Sequence, residues 1–283
     1  MKLPRYWAKG SAGKVMEDFA CWGWSDISVE EAQERGEQRA ASVAKIIRSG
    51  LRPDHYLYGD RPIREKIIEE WKREDATTYA AVTLNAYGCQ ILNTASVMFV
   101  DVDLPMIPAW DTIKYKLAGI LGNKDPSPRE RQESEALAKI EEMIRMDRQC
   151  GIRAYRTAAG LRYLFTHAHA DPTAESTLRA MEELGADPLY IRLCKIQECF
   201  RARLNPKPWR CGIKPLRITY PWEDETAEQS ALHWIATHEK KGRDYATCSL
   251  ISQFGSKTMD TEIARVVEFH DSATKAESGL TLA

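Results

Sequence analysis

The stretch SVMFVDVD, residues 96–103, places four consecutive apolar residues directly before two aspartates that are separated by one valine. A continuous apolar run of this length is typical of a central strand that is covered on both faces. Two further strands are predicted just before it, AAVTL (80–84) and CQIL (89–92), joined by the turn-like NAYG (85–88). The three runs therefore predict a sheet at the centre of the chain.

Strands and helices alternate on both sides of this centre. The sequence predicts strands near residues 6–8 and 19–24, and then a helix with Ser28 as its N-cap and Gly50 as its end. RPIREKIIEEWKRE (61–74) predicts a helix entered through a proline, and 125–135 predicts a polar loop. Later elements are a hairpin over 152–167, helices near 136–148, 173–184, 188–200, 228–240 and 260–268, and a strand near 245–252.

This order of elements favours an α+β fold with a mixed or antiparallel central sheet over a doubly wound parallel sheet. The expected layout is one compact unit in three parts. Residues 1–77 form an N-terminal α/β extension, residues 78–222 form the core, and residues 223–283 add a C-terminal cap of helix and strand.

The composition is that of a soluble globular chain. Its 283 residues carry 40 Lys and Arg against 41 Asp and Glu, so a basic surface for nucleic acid must be local. No window approaches the ~18 consecutive apolar residues of a membrane span. The N-terminus has no apolar leader, which predicts a cytoplasmic protein with no membrane partner. The seven cysteines are therefore expected to be reduced thiols.

Asp101 and Asp103 are spaced i, i+2, so both side chains point to the same face of a strand. Two like charges this close repel unless a cation lies between them, and Mg²⁺ or Mn²⁺ prefers such carboxylate ligands. The pair is therefore a candidate catalytic metal site for phosphoryl transfer. The alternative is that one aspartate caps the turn at Leu104 and the other is a solvated strand end.

The turn TAAG (157–160) carries the second candidate site. Its small residues would let backbone N–H groups and Thr157 approach a ligand, and Arg156 and Arg162 flank the turn. Small residues with arginines suit a phosphate group. Thr157, Gly160, Arg156 and Arg162 are therefore candidate nucleotide-binding residues. The alternative is a plain β-hairpin with surface arginines.

The third candidate is CFRARLNPKPWRCGIKPLR (199–217), which carries six cations and no acidic residue. Cations interleaved with aromatic side chains can follow a phosphate backbone and stack on bases. The candidate nucleic-acid-binding residues are Arg201, Arg203, Lys207, Trp209 and Arg210. The alternative is a basic loop that covers an acidic part of the same protein.

Three weaker patterns also bear on metal binding. His167 and His169 share a face of an extended segment, and His270-Asp271 forms an HD pair. Cys194, Cys199 and Cys211 lack a convincing fourth ligand, so zinc is not expected. The chain contains neither GxxxxGK[ST] nor GxGxxG, so nucleotide binding of those two types is not supported.

The strand ending FVDVD, followed by TAAGLRYLF (157–165), resembles the archaeo-eukaryotic primase superfamily, the primase-polymerases. Asp101 and Asp103 match the family's first motif, which binds the catalytic divalent metals. Thr157, Gly160 and Arg162 match the second motif in part, with Arg162 where the family has a histidine. That motif contacts the phosphates of the incoming nucleotide.

The resemblance also implies an RRM-like catalytic core with a smaller N-terminal α/β part. A third acidic residue would complete the metal site, and Glu198 and Asp187 are the candidates. Longer strings, such as LPRYWAK (3–9) and NPKPWRCG (205–212), resemble those of uncharacterised bacterial proteins, which implies a bacterial origin and no particular activity.

Three functions follow as hypotheses. The favoured one is a metal-dependent nucleotidyltransferase that binds a nucleoside triphosphate and nucleic acid, in which Asp101→Asn abolishes turnover and leaves the fold intact. The second is a catalytically silent relative that binds nucleotide or nucleic acid through the cations of 199–217. The third is a metal-dependent phosphohydrolase that uses the same aspartate pair.

Overall fold

Helices and mostly antiparallel strands alternate in the computed structural model, which describes residues 1–13, 19–50, 62–120 and 125–283. The predicted α+β class is confirmed. The helices are α1 (Val29–Arg48), α2 (Ala109–Ile120), α3 (Pro128–Met146), α4 (Glu175–Leu184), α5 (Pro188–Gln197), α6 (Glu225–Gly242) and α7 (Thr261–Thr274), with a 3-10 turn at Pro208–Cys211. None of the helices in these ranges has the length and apolar character needed to cross a bilayer.

Two four-stranded antiparallel sheets form the framework. The first has the order β11 (Cys248–Gly255), β7 (Gly151–Thr157), β8 (Gly160–Phe165) and β6 (Phe99–Asp103). The second has the order β3 (Lys66–Lys72), β4 (Thr78–Leu84), β5 (Gln90–Thr94) and β9 (Phe200–Arg203). Two smaller pairs are β1 (Tyr6–Ser11) with β2 (Ala20–Ser25), and β10 (Tyr245–Ala246) parallel to β12 (Thr281–Leu282).

Strand β6 is an edge strand of the first sheet, because within the described ranges it pairs only with β8. The prediction that the apolar run before Asp101 is a central strand is therefore wrong, because β6 lies at the edge of its sheet. Phe99 and Val100 are nevertheless fully buried, since edge strand β9 of the second sheet lies beside β6. Packing against β9 covers the side of β6 that has no hydrogen-bonded strand among the described residues. This burial explains why the residues before Asp101 are apolar.

A seam therefore runs between strands β6 and β9, and the Tyr190 side chain of α5 crosses it. The Tyr190 hydroxyl lies 3.0 Å from the carbonyl oxygens of both Phe99 and Arg201. It also accepts a hydrogen bond of 3.2 Å from the Arg201 amide. This phenol thus links an edge strand of one sheet to an edge strand of the other.

The helix predicted over residues 61–74 is wrong, since the described part of that stretch contains strand β3. Ile67 and Ile68 are β-branched and favour a strand, and Trp71 is buried against β4. Pairing and burial outweigh the helix propensity of the Glu and Lys residues. The predicted loop over 125–135 is also wrong from residue 128 onward, because a Ser127–Glu130 capping box starts α3 at Pro128.

The predicted boundaries between the three parts fall inside the two sheets. Strand β3, from the part ending at residue 77, pairs with β4 of the next part. Strand β11, from the part beginning at residue 223, pairs with β7. In the N-terminal part, Ser28 caps α1 as predicted and accepts a hydrogen bond from the Glu31 amide. Gly23 lets α1 approach β2, since a Cβ there would lie 2.0 Å from the Ala32 carbonyl oxygen.

Candidate functional site

A cleft of about 250 Å³ opens over the seam between the two sheets. It collects residues from all three candidate motifs of the sequence. Asp101 and Asp103 come from β6, Thr157 and Arg162 come from the β7–β8 hairpin, and Arg203 comes from β9. Its remaining lining residues are Ala159, Leu161, Asp187, Leu189, Tyr190, Leu193, Lys207 and Arg210.

Arg162 forms a two-pronged ion pair with Asp101 inside this cleft. The two residues lie directly opposite each other in the β6–β8 register. Arg162 donates from Nε to Oδ1 at 2.7 Å and from Nη2 to Oδ2 at 3.0 Å. Burial alone would lower the pKa of Arg162, which is 1% exposed, but contact with Asp101 raises that pKa above its ordinary value. Arg162 therefore supplies a cation that relieves the repulsion between the two aspartates.

Asp103 is exposed, and its carboxylate has no hydrogen-bond or ion-pair partner among the described residues. Asp187 lies at the start of α5, where its Oδ1 caps the Leu189 amide at 3.0 Å. The Asp187 amide is 3.4 Å from the Asp101 carbonyl oxygen, so α5 begins beside β6. The carboxylates of Asp101, Asp103 and Asp187 thus line one cleft.

These carboxylates fit a hard divalent cation by the chemistry of their oxygen donors. Asp103 has its oxygens free for such an ion, whereas each oxygen of Asp101 already accepts one hydrogen bond from Arg162. In the part of the chain that the structure describes, no group of three or more His, Cys, Asp or Glu residues is arranged to hold a metal ion. Asp103 is therefore the carboxylate best placed to act as a ligand.

Three cations, Arg203, Lys207 and Arg210, line the same cleft. Arg203 is half-buried and donates to the Asn205 carbonyl oxygen at 2.9 Å, and no described carboxylate lies within ion-pair distance of it. Burial, together with the positive charges of Arg162 and Arg210, lowers the pKa of Arg203 to about 10. Burial, together with the positive charges of Arg203 and Arg210, also lowers the pKa of Lys207. A cationic cluster without its own carboxylates favours an anionic ligand.

Three predicted site residues have their charge satisfied elsewhere. Arg156 donates to the Glu133 carboxylate at 2.7 and 2.8 Å, and Arg201 donates to Glu65 at 2.8 Å and to Asn93 Oδ1 at 2.7 Å. Glu198 ends α5 with φ +52° and pairs with Lys2 at 2.8 Å. None of the three lines the cleft, so the structure does not bring these predicted site residues together with Asp101 and Asp103.

Trp209 lies in the 3-10 turn between Lys207 and Arg210 and is about half exposed. Its ring meets the edge of the Tyr87 ring at a centroid distance of 5.6 Å, and Lys207 Nζ lies 5.6 Å from the Trp209 ring centroid. This aromatic pair is therefore next to the cationic side of the cleft. Sequence reasoning missed Tyr87, because the turn-like NAYG that contains it carries no charge.

The TAAG turn does not present its amides to the cleft as predicted. The Thr157 hydroxyl accepts from the Gly160 amide at 3.0 Å and from the Ala159 amide at 3.4 Å. Gly160 lies opposite Asp103 in the β6–β8 register, where a Cβ would be 1.9 Å from the Val102 carbonyl oxygen. The glycine thus permits close approach of two strands.

Gly160→Ala is expected to lower the free energy of unfolding by about 1–3 kcal/mol, because the new methyl group must push β8 away from β6. Urea unfolding followed by circular dichroism measures this change. Ala158→Gly, two residues earlier in the same turn, is the control for altered turn flexibility. Full stability of Gly160→Ala would contradict the close-approach explanation.

The weaker histidine and cysteine patterns lie outside the residues that line the cleft. His169 bridges Ser96 Oγ at 2.7 Å and Asp260 Oδ2 at 2.6 Å, and so it ties the β5–β6 turn to the start of α7. Cys194, Cys199 and Cys211 are buried free thiols. Burial raises the pKa of Cys194 to about 12 and that of Cys199 to about 11, which favours the inert thiol form.

Comparison with known proteins adds no assignment. No protein-family model matches the chain, and no match was found among curated proteins or solved structures. The geometry of the cleft is therefore the basis for a functional proposal.

Proposed function

We propose that the cleft binds the phosphate groups of a nucleoside triphosphate together with a divalent cation, as a nucleotidyltransferase of the primase-polymerase type requires. The observation that carries the proposal is that two sets of charged residues line the cleft. Asp101 and Asp103 on β6 and Asp187 at the start of α5 form its acidic wall, and Arg203, Lys207 and Arg210 form its basic wall. Within the described residues these three cations form no ion pair, and the carboxylates that act on Arg203 and Lys207 through space include Asp101 and Asp103 of the cleft itself. A triphosphate with Mg²⁺ or Mn²⁺ complements both walls, because its oxygens are anionic and its metal is cationic.

Each wall has a separate role in this proposal. Asp103, with the remaining lone pairs of Asp101, would hold Mg²⁺ or Mn²⁺, which supplies charge neutralisation at the reacting phosphate. Arg203, Lys207 and Arg210 would bind the triphosphate oxygens and orient them. Positioning and electrostatic stabilisation supply most of the catalysis in phosphoryl transfer.

The experiment is isothermal titration of a nucleoside triphosphate into the protein, with Mn²⁺ and then with EDTA. Binding that Mn²⁺ strengthens, followed by incorporation of labelled nucleotide on a primed template, supports nucleotidyl transfer. Absence of triphosphate binding under both conditions would contradict the proposal.

Asp103→Asn is expected to weaken Mn²⁺-dependent triphosphate binding by on the order of tenfold or more while leaving stability unchanged. The carboxylate is exposed and has no described partner, so its loss removes a metal ligand and no structural contact. Titration calorimetry measures the first effect and thermal unfolding the second. Asp171→Asn is the control, since Asp171 caps a distant turn through Thr173. Equal binding by both variants would remove Asp103 from the metal site.

A second candidate function is nucleotide binding without catalysis, and one observation favours it. Arg162 already occupies one lone pair on each oxygen of Asp101, which can leave the cleft with too few free carboxylates for a catalytic metal. Triphosphate binding that survives EDTA, with a steep dependence on salt, would select this function.

A nucleic-acid partner is also part of the proposal. The exposed Trp209–Tyr87 pair beside Lys207 and Arg210 offers aromatic faces next to cations, which suits stacking of bases above a bound phosphate backbone. Binding of single-stranded oligonucleotides, measured by fluorescence anisotropy at two salt concentrations, tests it.

A further inference from the structure

A buried polar network extends from the cleft to helix α7. Beyond its two bonds to Asp101, Arg162 donates from Nη1 to the Arg203 carbonyl oxygen at 2.9 Å. The same nitrogen lies 3.4 Å from Nε2 of His270, which is fully buried. Nδ1 of His270 lies 3.0 Å from Asp271 Oδ1. The Arg162–Asp101 ion pair thus contacts His270, and through it Asp271, in the interior of the protein.

The hydrogen-bond directions in this network are fixed by its chemistry. Arg162 can only donate, so Nε2 of His270 must be the acceptor, and Nδ1 must then carry the proton that it donates to Asp271. Burial lowers the pKa of His270, and the nearby charge of Arg162 acts in the same direction, which keeps the imidazole neutral. The network therefore requires the neutral Nδ1–H form.

Asp271 is itself held from two sides. Its Oδ1 accepts from the Tyr155 hydroxyl at 2.7 Å, and its Oδ2 pairs with Arg153. Arg153 Nε donates in turn to the Tyr155 hydroxyl oxygen at 2.9 Å. Asp271 is thus held by Tyr155 and Arg153, and its contact with Nδ1 restrains the orientation of the His270 imidazole.

We propose that His270 and Asp271 are positioning residues, which hold Arg162 in the orientation that directs the Asp101 carboxylate into the cleft. The effect on triphosphate binding rests on the proposed function, whereas the effect on Arg162 does not. Outer hydrogen-bond partners of this kind commonly change ligand affinity without touching the ligand. The HD pair thereby receives a role other than direct metal binding.

The test combines two measurements on the full chain. Long-range ¹H–¹⁵N spectra report which His270 nitrogen carries the proton, and the resonance is assigned by its loss in His270→Gln. The Nε–H signal of Arg162, assigned through Arg162→Lys, reports its bond to Asp101. His270→Gln keeps an acceptor near the position of Nε2, whereas His270→Leu removes it. Tyr163→Phe is the control, because it deletes a different buried hydrogen bond, to the Ala136 carbonyl oxygen.

We expect the Nδ1–H form in the unaltered protein and a displaced, faster-exchanging Arg162 Nε–H signal in His270→Leu. Triphosphate affinity should fall on the order of tenfold in His270→Leu and change little in His270→Gln and Tyr163→Phe. An Nε2–H form in the unaltered protein would overturn the proposal even if His270→Leu fails to fold, as would an unchanged Arg162 signal in a folded His270→Leu. A displaced Arg162 signal with no triphosphate binding in any variant supports the positioning role and refutes the proposed function.

Discussion

Asp101→Asn is expected to lower the free energy of unfolding by about 3 kcal/mol, because it removes the charge that pairs with a buried guanidinium. Arg162 is 1% exposed and cannot lose its proton, so the substitution leaves a buried cation without its carboxylate. The variant is therefore a poor probe of metal binding alone. This expectation differs from the sequence-based hypothesis that Asp101→Asn leaves the fold intact, because the sequence does not show the contact between Asp101 and buried Arg162.

Urea unfolding of Asp101→Asn and Asp103→Asn side by side measures this effect. The two substitutions make the same chemical change two residues apart on β6, but Asp103 is exposed and has no described partner. We expect Asp103→Asn to stay within about 0.5 kcal/mol of the unaltered protein. Equal stability of the two variants would show that the Asp101–Arg162 pair contributes nothing to the fold.

A double-mutant cycle that combines Asp101→Asn with Arg162→Met separates the interaction free energy of the ion pair from the effect of each single substitution. Arg162→Met leaves Asp101, whose side chain is 38% exposed and can be solvated, so it should cost less than Asp101→Asn. The double variant should regain part of the stability lost in Asp101→Asn, since the unpaired buried charge is gone.

Arg203→Met is expected to weaken triphosphate binding about thirtyfold, which corresponds to about 2 kcal/mol for the loss of a hydrogen bond to a charged group. The substitution should leave the free energy of unfolding unchanged or raise it. Burial first, and then the charges of Arg162 and Arg210, lower the pKa of Arg203 to about 10, so substitution by Met removes a desolvated charge and its repulsion by these neighbours. Loss of binding without loss of stability is the signature of a residue that is arranged for a ligand.

Calorimetric titration and thermal unfolding of the same preparation test this prediction. Arg217→Met is the matched control, since Arg217 lies in the same acid-free segment but is exposed and does not line the cleft. If Arg217→Met weakens triphosphate binding as much as Arg203→Met does, the cations act as a diffuse basic surface. In that case the cleft is not a specific phosphate site.

The sequence predicted much of the site because its signals are local. Each motif can be recognised from neighbouring residues: the i, i+2 aspartates, the hairpin at 157–160 and the acid-free segment. The structure brings members of all three to one cleft. The α+β class was predictable for the same reason, since strand and helix periodicities are short-range patterns.

The errors concern contacts between distant parts of the chain. Arg201 looks like a free cation in the sequence, but its partner Glu65 lies 136 positions away. Strand β3 contains enough Glu and Lys to indicate a helix, and only pairing with β4 and burial of Trp71 explain the outcome. Tyr190, which crosses the seam, belongs to no motif, because its function depends on two strands that are far apart in the sequence.

The seam between β6 and β9 has a consequence for how this cleft can change over evolution. Asp101 and Asp103 lie on one hydrogen-bonded ladder and Arg203 lies on another, and the side chains of Tyr190 and Arg162 link the two. Substitutions along β9 and the 3-10 turn can change the cationic residues of the cleft without shifting the strand register that places Asp101 and Asp103. Under the proposed function, anion selectivity and metal binding could therefore evolve through substitutions in different sheets.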